Sequence, residues 1–215
     1  MVTIIGTGHM AHGIGTRLLA GGNSLTLLGT TREKADALAE QLRSSASSGA
    51  KVNTGASGDP ISDDVVVLAV PYGAAGGLLR QYGKQLAGKI VVDITNPLNA
   101  SYDALVTSAG SSGAEELARV VPEARLVKAF NTTFAGTLVA GEAGGQKLDV
   151  FVAGDDDEAK AEVSRPVSAG GLHAVDVGPL HRARQLEQLG FLGIAIQQPL
   201  GLGFASGWKL VAPQS

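Results

Sequence analysis

At 215 residues the chain is long enough to bury a full core, and it reads as one domain with a short C-terminal extension. Its 17 basic and 20 acidic residues give a formal net charge of -3, and no run of Lys and Arg exceeds two residues, which argues against a nucleic acid or an anionic membrane as partner. The absence of cysteine excludes disulfides, thiol catalysis and cysteine-ligated metals, and it is compatible with a reducing cytosol. The first element is an apolar strand, Val2 to Ile5, running into Gly6-Thr7-Gly8-His9-Met10-Ala11. A strand this close to the N-terminus shows no secretory leader, and the apolar stretches are strand-sized or broken by glycine, so a cytoplasmic protein is expected. Gly6 permits a tight turn, Gly8 lets the backbone approach a pyrophosphate, and small Ala11 lets the next helix pack closely on the sheet. Glycine pairs are common in a chain with 30 glycines, so the context decides. Met10, Ile14, Leu18 and Leu19 fall at helical spacing over Met10 to Ala20, and Gly21-Gly22 ends that helix. A second strand, Leu25 to Leu28, then completes strand, turn, helix and strand within about thirty residues, the frame of a dinucleotide-binding unit.

The end of that second strand bears on which dinucleotide. NAD-selective sites commonly place an acid there for the ribose 2′-hydroxyl, whereas an NADP site accepts a 2′-phosphate. Here the residues are Gly29-Thr30-Thr31-Arg32-Glu33-Lys34. With no acid at the strand end, the hydroxyls of Thr30 and Thr31 with Arg32 and Lys34 can surround a dianion through charge-assisted hydrogen bonds. The same residues also serve as a helix start, with Thr30 or Thr31 capping a helix from Glu33 to Arg43. Both uses are compatible, and NADP is the expected cofactor.

Beyond Arg43 the Ser/Gly-rich stretch from Ser44 to Gly49 is a loop, Val52 to Thr54 a weak third strand, and Ser57 to Ser62 a turn-rich connection. Val65 to Val70 and Ile90 to Ile94 are continuous apolar runs, the mark of strands buried on both faces. Arg125 to Ala129, Asp149 to Ala153 and His173 to Val177 are later strands. Alternating strands and helices predict an α/β fold: a Rossmann-type doubly wound, mostly parallel sheet with a short helical C-terminal extension. Ligands of such sheets lie outside the carboxyl ends of the strands. The candidate site residues therefore follow the strands: Val70-Pro71-Tyr72, Thr95-Asn96-Pro97-Leu98 and Phe130-Asn131-Thr132-Thr133. Pro71 stiffens the chain beside the ligand. The amides of Asn96 and Asn131 can bond a ribose, a nicotinamide carboxamide or their own loop backbone, the last being the commoner use of a loop Asn.

Several of these segments together resemble the coenzyme F420-dependent NADP oxidoreductase family. They are Gly6-Thr7-Gly8, Val67-Leu68-Ala69-Val70-Pro71-Tyr72, Gly88 through Leu98, Val127-Lys128-Ala129-Phe130-Asn131, Ala153-Gly154-Asp155-Asp156 and Asp176-Val177-Gly178-Pro179-Leu180. The resemblance runs from the first strand to about Glu187, and the family includes the cytosolic reductase domain of membrane ferric reductases. It implies an NADP-binding Rossmann domain over 1–180, a helical region over 181–215 at the acceptor site or a dimer contact, and a homodimer. By the same resemblance the backbone around Thr7, Gly8, His9 and Met10 meets the pyrophosphate, and Val70, Pro71 and Tyr72 pack along the cofactor. The Ala129 backbone lies near the carboxamide, with Asn96 and Asn131 in the same region. The family's Gly-Ser-Arg after the second strand corresponds to Gly29-Thr30-Thr31, with Arg32 one place further on. The implied chemistry is hydride transfer between NADPH and a small-molecule redox acceptor, foremost the deazaflavin coenzyme F420, which needs positioning more than a protein acid or base. A reductase of a flavin, a metal chelate or a small carbonyl or imine is the alternative within enzymes. A non-catalytic NADP(H)-binding sensor is the alternative outside them. Room against the nicotinamide face beside Pro71, Asn96 and Asn131 discriminates the two classes.

No catalytic dyad is evident, and the four histidines are scattered. His9 sits in the glycine turn, where its backbone amide is useful and its ring points to solvent or the acceptor pocket. His12 belongs to the first helix. His181 with Arg182 and Arg184 is either a solvated helix start or a cluster for an acidic acceptor tail. Asp155 to Glu158 precedes a helical segment, Ala159 to Val163, and is explained by helix-start electrostatics without a metal. Only Tyr72 and Phe130 are aromatic beside the expected site. Arg184 to Gln198 turns apolar nearly all round, which asks for cover from a dimer partner or from the monomer itself.

Overall fold

The computed structural model describes the chain apart from Ser48, Ala212, Gln214 and Ser215. The expected loop at Ser44 to Gly49 and the end of the 181–215 region therefore fall partly outside the described residues. The elements are β1 (Val2–Ile5), α1 (His9–Ala20), β2 (Leu25–Gly29), α2 (Arg32–Leu42), β3 (Val52–Ala56), β4 (Val65–Leu68), α3 (Tyr72–Tyr82), β5 (Ile90–Asp93), α4 (Gly113–Val120), β6 (Arg125–Lys128) and α5 (Ala135–Ala140). A small hairpin, β7 (Glu142–Ala143) and β8 (Gln146–Lys147), precedes β9 (Asp149–Gly154), α6 (Asp157–Ala169), β10 (His173–Gly178) and α7 (Ala183–Ala195).

The main sheet has eight strands in the order β10-β9-β6-β5-β4-β1-β2-β3. β1 to β6 are parallel, with the strand order reversing between β1 and β4, the point at which doubly wound sheets bind ligands. β9 joins β6 antiparallel and β10 runs parallel to β9, so the sheet is mostly parallel as expected. The β-branched strands feed both faces. Val2, Ile4, Val67, Ile90 and Val92 pack with α1, α2 and α6, while Ile5, Val66, Leu68 and Val91 pack with α3 and α4. Among the described residues no helix is long and apolar enough to cross a membrane.

Three helices, α3, α4 and α5, are absent from the sequence reading, and α2 and α6 differ in their bounds. α3 carries three glycines, yet Ala75, Leu79 and Tyr82 bury along one face behind Pro71 at its N-cap. α4 opens on Ser112, whose hydroxyl accepts from the Glu115 N–H at 3.2 Å and donates to the Glu115 carboxylate at 2.8 Å, a Ser-x-x-Glu signature that is legible in sequence. α6 runs beyond the expected Val163, through Pro166, to Ala169. α2 starts at Arg32, one residue early, and Thr31 occupies its N-cap without a side-chain capping bond. The expected cap by a Thr hydroxyl is thus replaced: the Glu33 carboxyl is held below its ordinary value by backbone N–H and the Thr31 hydroxyl. The acidic run does cap its helix, Asp156 accepting from the Ala159 N–H at 2.8 Å.

Candidate functional site

The glycine turn lies where the strand order reverses. Gly6 has φ 118°, and a Cβ there would stand 2.1 Å from the Ala69 carbonyl oxygen, so only glycine lets β1 leave the sheet beside β4. Its N–H donates to the Leu28 carbonyl at 2.9 Å, tying the turn to β2. Gly8 differs: a Cβ there meets nothing within 4 Å, because its open side faces a cleft. Gly8 is the N-cap of α1, which has no side-chain cap and no acid in its first turn, although α4 and α6 have both. The orphan N–H groups of α1 with the open space at Gly8 are the features an anionic pyrophosphate requires, so the turn fits a dinucleotide. Ala11 is fully buried, as close packing of helix on sheet demands.

The cleft has a volume of about 990 Å³ and lies outside the carboxyl ends of β1, β4, β5 and β6. Gly8, His9, Met10, Val70, Pro71, Tyr72, Asn96 and Asn131 line it together. Gly6, Thr7, Ala11 and Ala129 do not line it, and Thr30, Thr31, Arg32 and Lys34 stand apart at the ends of β2 and α2. A Cβ on Gly29 would lie 3.2 Å from the Thr7 methyl, so the two regions adjoin through Thr7. Arg32 donates to the Thr54 carbonyl at 2.8 Å and to Asp59 at 3.4 Å, with its side chain 58% exposed.

The two asparagines are bound to one another. Asn96 Nδ2 donates to the Asn131 carbonyl at 2.8 Å, and Asn131 Nδ2 donates to Asn96 Oδ1 at 2.9 Å and to the Leu186 carbonyl of α7 at 2.8 Å. Of the ligand or backbone partners considered for their amides, these donors take the protein. Two buried oxygens nearby, Asn131 Oδ1 and Thr95 Oγ1, have no partner. Tyr72 turns its hydroxyl to Glu116 of α4 at 2.5 Å, and burial, then that bond, push its phenol well above the ordinary value.

Beneath this floor lies a cluster the sequence reading did not identify. Lys128, fully buried at the end of β6, donates to Asp93 at 2.7 Å, to the Thr95 carbonyl at 2.6 Å and to Glu187 of α7 at 2.9 Å. Glu187 also accepts the N–H groups of Gly113 and Ala114 at the start of α4. Burial opposes the charge on Lys128, but Asp93 and Glu187 outweigh it and hold the ammonium above its ordinary value. Burial pushes the Glu187 carboxyl up, against Lys128. A lysine at the end of a strand directly after Leu126 and Val127 was the available signal, and its partners lie 35 and 59 residues away.

α7 is covered on one side and open on the other. Ala183, Leu186, Glu187, Gly190 and Gly193 face the molecule, and a Cβ on Gly190 would stand 2.5 Å from Asn96 Oδ1. Leu192 is 50% exposed, so of the two sources of cover considered for α7 the chain itself supplies only one side. Arg184 is not available to an acidic acceptor tail: it binds Glu115 at 2.8 and 2.6 Å and holds that carboxyl below its ordinary value. The aromatic lining is also richer than expected, since Tyr102, Phe134 and Phe204 join Tyr72 and Phe130 in the cleft. Among the described residues no group of three or more His, Cys, Asp or Glu is placed to hold a metal ion.

A family model described as NADP oxidoreductase coenzyme F420-dependent matches residues 1–97. Metalloreductase STEAP3 of Rattus norvegicus is 32% identical over 188 residues, 87% of this chain, and the chain spans only 36% of that relative's length. The F420-dependent NADP reductase of Methanocaldococcus jannaschii is 28% identical over 198 residues, covering 86% of each chain. A solved structure from Arthrobacter sp. FB24, provisionally named an F420-dependent NADP-reductase, superposes with a TM-score of 0.79 and 30% identity over 93% of this chain and 94% of that one.

Proposed function

The chain belongs to the coenzyme F420-dependent NADP oxidoreductase family, and on that footing we propose that it moves a hydride between NADPH and a deazaflavin of the coenzyme F420 class. The observation that carries this reading is the open cleft of about 990 Å³ beside Pro71, Asn96 and Asn131, a sheet end that no side chain of the protein plugs, as one would in a sensor. Bound there, NADPH would supply a hydride, and the acceptor's reduction would be completed by one proton from solvent. The chain's part is binding and orientation. Backbone N–H groups around Thr7, Gly8, His9 and Met10 hold the pyrophosphate, and Thr30, Thr31, Arg32 and Lys34 hold the 2′-phosphate. Val70, Pro71 and Tyr72 pack along the cofactor. The Ala129 backbone lies near the carboxamide in this reading, with Asn96 and Asn131 in the cleft wall at the same sheet end.

The protein acts as a homodimer in this reading, a second copy covering the apolar face that Leu192 and Leu200 leave open at 50% and 63% exposure. Reduction of a metal chelate is a second reading, favoured by the 32% identity to Metalloreductase STEAP3. The test is NADPH oxidation by purified protein, followed at 340 nm with an oxidised deazaflavin or a ferric chelate. Exchange with the deazaflavin is expected. Turnover of the chelate alone moves the assignment to the second reading, and no turnover of either removes both. Equal dissociation constants for NADPH and NADH would overturn the NADP preference.

A further inference from the structure

Among the described residues fourteen glycines take positive φ, and three other residues do: Tyr102 at 58°, Phe130 at 63° and Phe204 at 58°. All three are aromatic, and all three line the one cleft described above. A bulky side chain strains the backbone in that region where glycine does not, and such strain concentrates at ligand clamps. Phe130 gains burial in return, being 3% exposed in the core. Tyr102 and Phe204 do not, at 64% and 53% exposure, so their strained conformation secures little packing within the chain.

Both exposed rings nonetheless sit on anchored backbone. Tyr102 occupies a turn closed by Asn99 and Asp103, with Asn99 Nδ2 donating to Asp103 at 2.6 Å, the Asp103 N–H returning to Asn99 Oδ1 at 3.1 Å and the Tyr102 N–H donating to the Asn99 carbonyl at 3.1 Å. The Phe204 N–H donates to Oε1 of Gln197 at 2.9 Å. Gln197 is 2% exposed and is itself fixed by bonds to the Gly193 carbonyl at 2.7 Å and the Ser206 hydroxyl at 2.8 Å. Phe134 buttresses Phe204 edge to face, with centroids 5.3 Å apart. The cleft lining holds no Lys, Arg, Asp or Glu. Apart from His9 and the hydroxyl residues Thr95, Ser101 and Thr133, its chemistry is aromatic, aliphatic and amide, which suits a planar ring.

We propose that Tyr102 and Phe204 select the acceptor, as two aromatic surfaces that receive a planar polycyclic heterocycle of the flavin or deazaflavin class in preference to a small imine or carbonyl. Stacking against rings carried on anchored backbone, one of them also braced by Phe134, lowers the ordering cost of binding, and the contact area of a fused ring system exceeds that of a small imine. The proposal rests on the hydride-transfer reading only for the ring's role as acceptor.

The test is the affinity of riboflavin and deazariboflavin for the NADP⁺-saturated protein, read from quenching of the ring's own fluorescence, beside turnover with NADPH. Tyr102→Gly and Phe204→Gly remove the rings while relieving the strain, and that relief offsets the entropy gained by the unfolded chain, so both variants are expected to keep the fold, as their thermal midpoints and circular dichroism will show. Each is expected to weaken ring binding by roughly tenfold and to raise the ring's KM alike, with NADPH affinity unchanged within twofold. Tyr102→Phe and Phe204→Tyr restore binding. Hydride exchange that is indifferent to both glycine variants overturns the proposal and leaves the hydride-transfer reading standing. Ring binding that depends on both residues without any hydride exchange does the reverse. A small cyclic imine reduced with higher kcat/KM than either ring overturns the proposed selectivity.

Discussion

Gly6 and Gly8 stand two positions apart in one turn and answer to different constraints. Gly6 is required by the fold, since a Cβ would collide with the Ala69 carbonyl at 2.1 Å on a backbone with φ 118°. Gly6→Ala is therefore expected to destabilise the protein by about 2–4 kcal/mol in urea unfolding, from backbone strain and overpacking together. Gly8→Ala meets no protein atom within 4 Å. Its stability should stay within about 0.5 kcal/mol of the wild type, while NADPH affinity falls several-fold because the methyl group occupies the ligand's space. Arg32 gives the second contrast. Its guanidinium, 58% exposed and bonded to Thr54 and Asp59, is free of any buried ion pair that the fold would miss. Arg32→Ala is expected to weaken NADPH binding about tenfold or more, the worth of a charged hydrogen bond, while NADH binding stays the same. Equal losses for the two would remove Arg32 from the 2′-phosphate site.

Elements far apart in sequence are joined by a few buried polar groups, and their removal should be felt in stability first. Lys128 links β6 to Asp93 of β5 and to Glu187 of α7, which in turn holds the start of α4. Lys128→Met leaves two carboxylates facing each other without a cation and is expected to cost about 3–5 kcal/mol by urea denaturation. The tail after α7 is held by Asp149, which accepts from Lys209 at 2.5 Å, from the Leu210 N–H at 2.7 Å and shares 2.9 Å with His173 Nδ1. Burial alone raises the Asp149 carboxyl, but Lys209, the Leu210 N–H and His173 outweigh it and hold it below the ordinary aspartate value of 3.8. A depressed carboxyl contributes stability that is present above pH 3.8 and is lost as the pH falls through its lower folded value. Trp208, the chain's one tryptophan, packs beside this anchor. Its emission should shift to the red only below pH 3.8, and Asp149→Asn should show the shifted emission already at neutral pH.

Assembly is where α7 shows its open side. Leu192 of α7 and Leu200 just beyond it are 50% and 63% exposed, while Glu187 and Gly190 of the same helix are buried at the site. Sedimentation equilibrium at micromolar concentration is expected to give the mass of a dimer, and Leu192→Asp that of a monomer with unchanged circular dichroism. A monomeric wild type would mean that the exposed leucines serve no self-association.

The architecture was largely legible because its signals are local. Continuous Val and Ile runs place strands that are buried on both faces, and a glycine turn between strand and helix needs only six residues to declare itself. The helices α3 and α5 were not legible, because α3 is rich in Gly and α5 is six residues long, so their form depends on the sheet they cover rather than on propensity, whereas α4 announces itself locally through Ser112 and Glu115. The cleft lies at the sheet end where Val70, Pro71, Tyr72, Asn96 and Asn131 had been expected, since a strand end can be read one strand at a time. What the chain alone determined is thus the nucleotide-binding frame, written in short-range sterics and hydrophobic runs. Which residues face one another across the cleft was decided by tertiary structure. The Asn96–Asn131 pair, the Lys128 cluster and the aromatic lining from Tyr102 and Phe204 each bring together segments separated by dozens of residues. Such pairings depend on where the sheet and α7 carry the side chains in space, and no local pattern encodes that.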